Sequence, residues 1–463
     1  MMLTCGDAFE VIALRLNLRR LESGSREWQE HSGVGDKAVP ADGRPVIRVE
    51  KIVPARSSLA CSLSYDPILE PYFSSSLLYV NYGFQVEGIP ESVLSIPVLG
   101  LLAPVAWAVG ATVTAGDVDG RFLASLHEVG AAMQGMYPTA GLSTDIRCTA
   151  VDTRWQEGER DCLLYSGGVD STCSLIRNLG PKLALATVRG TPDLRLGDAQ
   201  FWDRAEKRLQ PFLRSIGIER QVIETNAIDI VNLRSLKTAK AEFAEGWWEN
   251  LSHGLILLSH CAPFTYVGGI KRMMIAASFT QSTVEPWGST PASDALIAWG
   301  NVTTVHDSAD LSRVEKTKQV LAPYMAQHQG VVQLRVCTGK RESRLASGTL
   351  NCGVCPKCVR TMLGLMHAGI DPTVCGFPSP DFPGIKEGMI SGRLVPPNIY
   401  SVRIIHASKS PPDKGLLEHY PAYGEFLSWF YDWRIPAGTE RKWVSKFAPK
   451  GSRRRRLLRD IAR

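Results

Sequence analysis

From about residue 155 onward, short unbroken apolar runs alternate with stripes at helical spacing, and this alternation is the strongest organising signal in the chain. The run 183–188 suits a strand buried on both faces. Residues 199–216 carry Trp202, Ala205, Leu209, Phe212 and Ile216 on one helical stripe. Val222-Ile223 reads as the next strand, 247–261 as a helix and 273–277 as another strand. Ser312 followed by Glu315 gives a capping-box start to a further helix. Strands alternating with helices predict an α/β fold with a doubly wound parallel sheet, whose ligands sit at the C-terminal strand ends.

The first 150 residues pattern differently. Strand-like pieces at 46–49 and 77–80 flank polar stretches, a Gly-, Ser- and acid-rich loop spans about 20–45, and 122–136 has helical spacing. This reads as an additional α+β module (1–150) without a catalytic constellation. Residues 94–113 form an apolar stretch about long enough to cross a bilayer. Pro97, Pro104, Gly100 and Gly110 interrupt it and its flanks are acidic, so a buried strand–turn–helix is the expectation. Beyond 376 the chain becomes Pro-rich and aromatic, with Trp429, Tyr431 and Trp433, and it ends in an Arg-rich tail around Arg453–Arg456. Three regions follow: 1–150, 155–375 and 376–463.

With 463 residues, 44% hydrophobic and 21% charged, the composition is that of an ordinary globular protein. The net charge of +6 is mild and leaves contact with nucleic acid open, as oligomeric state is left open. The N-terminus reads as no signal peptide, so a cytoplasmic, non-membrane protein is expected. There, eleven cysteines point to metal rather than disulfides.

Two motifs carry chemistry. The apolar run 162–165 enters Ser166-Gly167-Gly168-Val169-Asp170-Ser171 and leaves into a helical segment. A strand, a Gly turn and a helix N-terminus offer backbone N–H groups and a favourable dipole to a phosphate chain. Ser166 and Ser171 can add hydroxyl donors, and Asp170 can hold Mg2+ or orient a phosphate. Downstream, Cys337 joins Cys352, Cys355 and Cys358, two consecutive C-x-x-C spacings plus one cysteine, enough to enclose a tetrahedral zinc. Buried thiols and an iron–sulfur cluster are the competing readings. Lys357 and Arg360 can offset the charge of four thiolates.

The SGGVDS hexapeptide resembles the pyrophosphate loop of the PP-loop ATP pyrophosphatases (adenine nucleotide alpha hydrolase-like fold). Followed by the four cysteines, it is similar to QueC, the 7-cyano-7-deazaguanine synthase family, over about 155–370. The resemblance implies that Ser166 to Ser171 bind ATP with Mg2+, that the four cysteines bind Zn2+, and that Lys316 supplies a cation at the α-phosphate. A solvated helix lysine is the alternative for Lys316. The implied reaction adenylates a carboxylate such as 7-carboxy-7-deazaguanine, releases pyrophosphate, and passes the acyl group to an amine to give an amide or nitrile. The flanking regions depart from that family. Larger QueC-like proteins of antiphage operons suggest a protein as amine acceptor. Trp287 can stack on a purine, though a core Trp is the plainer reading, and His253 and His260 read as structural. A tRNA-thiolating PP-loop enzyme and a non-catalytic ATP-binding scaffold remain alternatives. A glutamine amidotransferase is disfavoured, because Cys5 is not at a mature N-terminus.

Overall fold

A computed structural model describes residues 43–281, 286–328, 332–337, 348–394 and 413–433. The acidic N-terminal loop, Cys5 and the Arg-rich tail lie outside the described residues. From Pro45 onward the chain forms one compact unit.

Ten strands form a single, mostly parallel sheet: β1 Val46–Pro54, β2 Ser58–Tyr65, β3 Leu77–Asn81, β4 Thr112–Asp119, β5 Asp145–Val151, β6 Arg160–Leu164, β7 Leu183–Arg189, β8 Arg220–Thr225, β9 Ile270–Ala276 and β10 Thr303–Asp307. Their order is β10-β9-β6-β7-β8-β3-β2-β1-β4-β5. The five strands from β10 to β8 are all parallel. Chain order runs outward from β6 in both directions, through β7 and β8 on one side and β9 and β10 on the other. That is doubly wound topology with its switch point between β6 and β9, where such sheets open a crevice at the C-terminal strand ends. All seven residues of β7 are buried, as its continuous apolar run requires.

The sheet continues without a break into the N-terminal region. β3 pairs antiparallel with β8 through Val80–Thr225 and Asn81–Glu224, β2 and β1 follow antiparallel, and β4 and β5 add parallel to β1.

The apolar stretch after residue 90 departs from the sequence expectation. It is one helix, α1 (Glu91–Val109), followed by strand β4, so helix precedes strand and both prolines lie inside the helix. Each proline removes a helical hydrogen bond, a cost of about 3 kcal/mol in an exposed helix. Burial of 17 of the 19 residues outweighs it. Trp247 Nε1 donates to the Pro104 carbonyl at 3.0 Å. Gly110 ends the helix in the left-handed conformation, its N–H bonded to the Ala106 carbonyl. The helix is long and apolar enough to span a membrane, yet 94% of its most apolar window is buried inside the protein. It is therefore a core element. α2 (Gly120–Met136) follows β4, close to its expected span.

Two main cores result. One packs α1, α2 and Trp247–Ala262 with much of the sheet. The other gathers Val169, Cys173, the four cysteines and the aromatic C-terminal region, including Phe382, Tyr423, Phe426 and Phe430. The aromatic C-terminal segment is thus packed around the chemistry-bearing half of the sheet.

Candidate functional site: a cationic strand-end cleft beside four cysteines

β6 ends at Leu164, and the loop Tyr165–Gly168 leads into helix α3 (Val169–Arg177) at the switch point. Gly167 has φ +77°, and a Cβ there would sit 2.9 Å from Leu209 Cδ1, so glycine is required. Gly168 is the N-cap residue and supplies no side-chain cap. The first N–H groups of α3 are therefore left without an intrahelical acceptor. The two serines hold the turn closed: Ser166 Oγ and Ser171 Oγ are 3.1 Å apart, the Ser166 N–H donates to Ser171 Oγ at 3.3 Å, and the Gly168 N–H donates to Ser166 Oγ at 3.3 Å.

The loop opens into a cleft of ≈ 460 Å³. Arg313, Arg335, Lys357 and Arg360 line its loop end, with Lys316 just behind. Arg335 Nε donates to the Ser166 carbonyl at 2.9 Å, and its backbone N–H donates to the Gly167 carbonyl at 2.7 Å. Lys357 Nζ lies 3.4 Å from Asp193 Oδ1. Four cations thus line a cleft that also holds the carboxylates of Asp170, Asp193, Glu245 and Glu249. Arg313 and Arg335 are bonded to the helix and the loop, and so are placed to favour an anion there.

The geometry revises several expectations. Both oxygens of Asp170 are engaged: Arg313 grips the carboxylate in a fork, Lys316 Nζ is 3.5 Å from Oδ1, and Ser278 Oγ is 3.5 Å from Oδ2. Burial alone would raise the Asp170 carboxyl, but the charges of Arg313 and Lys316 override it and hold it at about 2. So committed, Asp170 does not fit the role of magnesium ligand. Among the described residues, the only convergent group of three or more His, Cys, Asp or Glu is the cysteine one. Lys316 is neither solvated nor open to the cleft. It is fully buried and donates to the Ala277 carbonyl from behind Asp170. The cations that do line the cleft were not singled out for phosphate from the sequence. Lys357 and Arg360 were assigned only to the thiolates, although their spacing places both on one face of α4 (Pro356–His367).

Acidic and aromatic residues complete the lining: Asp193, Glu245, Trp248, Glu249, His253, Phe279 and Trp287. Trp287 is a cleft residue rather than a core one, and its ring meets Phe279 edge-on at 6.0 Å. His260 is structural as expected. It is fully buried, bonded to the Ile256 carbonyl at 2.8 Å and pushed down to about 4 by burial. His253, one heptad earlier, instead borders the cleft.

All four cysteines are buried, and their sulfurs lie within 4.8 Å of one another. A zinc with four thiolates at ~2.3 Å would set the sulfurs ~3.8 Å apart. Cys352 and Cys358 are at 3.8 Å. Contact among the sulfurs lowers the thiols of Cys352 and Cys355 and raises those of Cys337 and Cys358, and a bound metal requires all four as thiolates. The cluster is built into the cleft. Cys355 caps α4 by accepting from the Cys358 N–H, and Cys337 lies two residues after Arg335.

No family model, curated protein or solved structure matches the chain.

Proposed function

We propose that the protein is an ATP-dependent ligase that forms AMP and pyrophosphate, adenylating a carboxylate and passing the acyl group to an amine. The observation that carries this reading is the concentration of Arg313, Arg335, Lys357 and Arg360 around an uncapped helix N-terminus at the topological switch point. An extended polyphosphate matches that layout better than a single carboxylate does, because the positive groups surround the loop instead of converging on one point.

The loop N–H groups and the two serines hold the leaving pyrophosphate. Arg335, fixed to the loop through two hydrogen bonds, supplies charge where the phosphate chain lies. Asp170 and Lys316 act indirectly by aiming Arg313. Catalysis of this type is mainly orientation and preorganised charge. Zinc held by Cys337, Cys352, Cys355 and Cys358 would be a closed structural centre that locks Arg335, Lys357 and Arg360 in place. The substrate class follows from the sequence resemblance: a planar carboxylate of the 7-carboxy-7-deazaguanine type, seated against Phe279 and Trp287. A protein amine is the acceptor that the antiphage resemblance suggests.

The test is exchange of labelled pyrophosphate into ATP with 7-carboxy-7-deazaguanine present. Exchange that depends on the acid, with AMP appearing once an amine is added, is the expected result. Release of ADP and phosphate, or no acid-dependent exchange, would overturn the assignment.

A further inference from the structure

Helix α5 (His253–Ser259) follows a π turn, Trp248–Ser252, and together they bring Trp248, Glu249 and His253 into the lining of the cleft. The His253 ring stands edge-on to the Trp248 ring, with centroids 5.2 Å apart. Its Nδ1 is buried without a hydrogen-bond partner. A buried imidazole normally has both nitrogens satisfied, as an unpaired buried polar atom costs about 1–3 kcal/mol. His260, the C-cap of the same helix, pairs its Nδ1 with the Ile256 carbonyl, while its Nε2 is buried without a partner and lines no cleft. His253 forgoes that bond and faces the cavity.

We propose that His253 is the proton acceptor for the amine in the second half-reaction, a role that rests on the adenylating function above. The amine nitrogen bonds to the acyl carbon of the adenylate. The bond from that carbon to the phosphate oxygen breaks, and its electron pair leaves with AMP. One N–H proton passes to the imidazole, which then returns it to solvent. The surroundings suit both states of the ring. Burial keeps it neutral, and Lys357 and His306 add to that, while Asp193 and Asp294 face it and stabilise the imidazolium once formed. Glu249 and Asp193 also line the cleft and favour a nucleophile that arrives as an ammonium, which gives up one proton to solvent before the freed amine attacks.

The experiment separates the two half-reactions in the full-length protein, with 7-carboxy-7-deazaguanine as acid and ammonium chloride as amine. A His253→Gln variant should exchange pyrophosphate within about 2-fold of wild type, while amide formation falls by about 100-fold or more, the usual contribution of a positioned base. Hydroxylamine, neutral at pH 7 and in less need of a base, should still trap the acyl group as hydroxamate in the variant. Equal loss of exchange and amide formation would make His253 structural and overturn the proposal. So would amide formation that survives the substitution. Absence of acid-dependent exchange in the wild type would remove the ligase assignment itself, and this role with it. His253→Asn, which also keeps a polar side chain, is the second variant and must behave as His253→Gln does.

Discussion

Two strand-to-helix turns in the same sheet place an acidic residue close to a helix start, and they come to opposite ends. At the first, β4 runs directly into α2, and Asp119 caps the helix with its own side chain. It accepts from the Phe122 N–H at 3.0 Å, the Gly300 N–H at 2.9 Å and Trp155 Nε1 at 3.0 Å. At the second, four residues separate β6 from α3, the N-cap is Gly168, and Asp170 in the first turn is taken up by Arg313 and Lys316. A helix start capped by its own carboxylate has one N–H group satisfied and carries a negative charge that opposes an outside anion. A helix start capped by glycine keeps them available. The difference between a capped and an uncapped helix start therefore rests on one side chain and on which partners the nearby acid takes.

The largest way to break this contrast is at the cysteines, because only the second turn leans on them. Structural zinc sites carry binding free energies on the order of 10 kcal/mol. Stripping the metal with a chelator, or Cys355→Ser, should release about one zinc per chain by elemental analysis and abolish ATP binding by calorimetry. Hydrogen exchange should show the amides around Arg335 and Lys357 losing protection while those of α2 keep theirs. A metal-free protein that binds ATP as before would separate the cysteines from the cleft.

Next in size is Asp170→Asn. It leaves Arg313 and Lys316 buried without their counter-charge, a loss of about 3–5 kcal/mol by denaturant unfolding. Because the folded carboxyl sits at about 2 against an ordinary 3.8, its stabilisation is complete above roughly pH 4 and disappears as pH falls through 2. That protonation-linked part amounts to about 2 kcal/mol. The stability gap between wild type and variant should narrow in acid, and a gap independent of pH from 7 to 2 would contradict the ion pairing.

How far these turns could be read in the sequence differs for physical reasons. The doubly wound half was legible because β7 and the α-helix Ala199–Ser215 carry undiluted period signals. The Ser166–Ser171 turn and the cysteine group are local patterns, so spacing alone exposed them. Helix α1 was misread because proline signals a break locally, whereas burial on all sides is a tertiary effect that no short window contains. The cationic end of the cleft was equally hidden. Arg313 and Arg335 lie far from residue 166 in sequence and meet it only through the fold. His253 and His260 share a helix and a heptad spacing, yet only packing makes one a core residue and the other a cleft residue.

A smaller effect is expected at the capped turn. Asp119→Ala removes the acceptor for three N–H groups, at a cost of about 1–3 kcal/mol. Pyrophosphate exchange by the folded protein should stay within 2-fold of wild type, since the Asp119 turn is not part of the cleft. A selective loss of exchange, with stability unchanged, would mean that the two turns communicate.

The smallest change in stability should come from exchanging the identity of the turns. Gly168 has φ −77° and ψ 168°, extended backbone that any residue adopts. A Cβ there would meet nothing closer than Ser166 Oγ at 3.4 Å, so a side chain fits. Gly168→Asp gives α3 the kind of cap that Asp119 gives α2, and glycine is only a few tenths of a kcal/mol poorer than aspartate at an N-cap. Melting temperature should barely move. ATP binding should fall sharply, because the new carboxylate claims the free N–H groups and repels the phosphates. Gly168→Ala, with the same backbone and no charge, should bind ATP close to wild type. If Gly168→Asp binds ATP as tightly as Gly168→Ala, the N–H groups of α3 are not the anion site, and the cations of the cleft serve some other purpose.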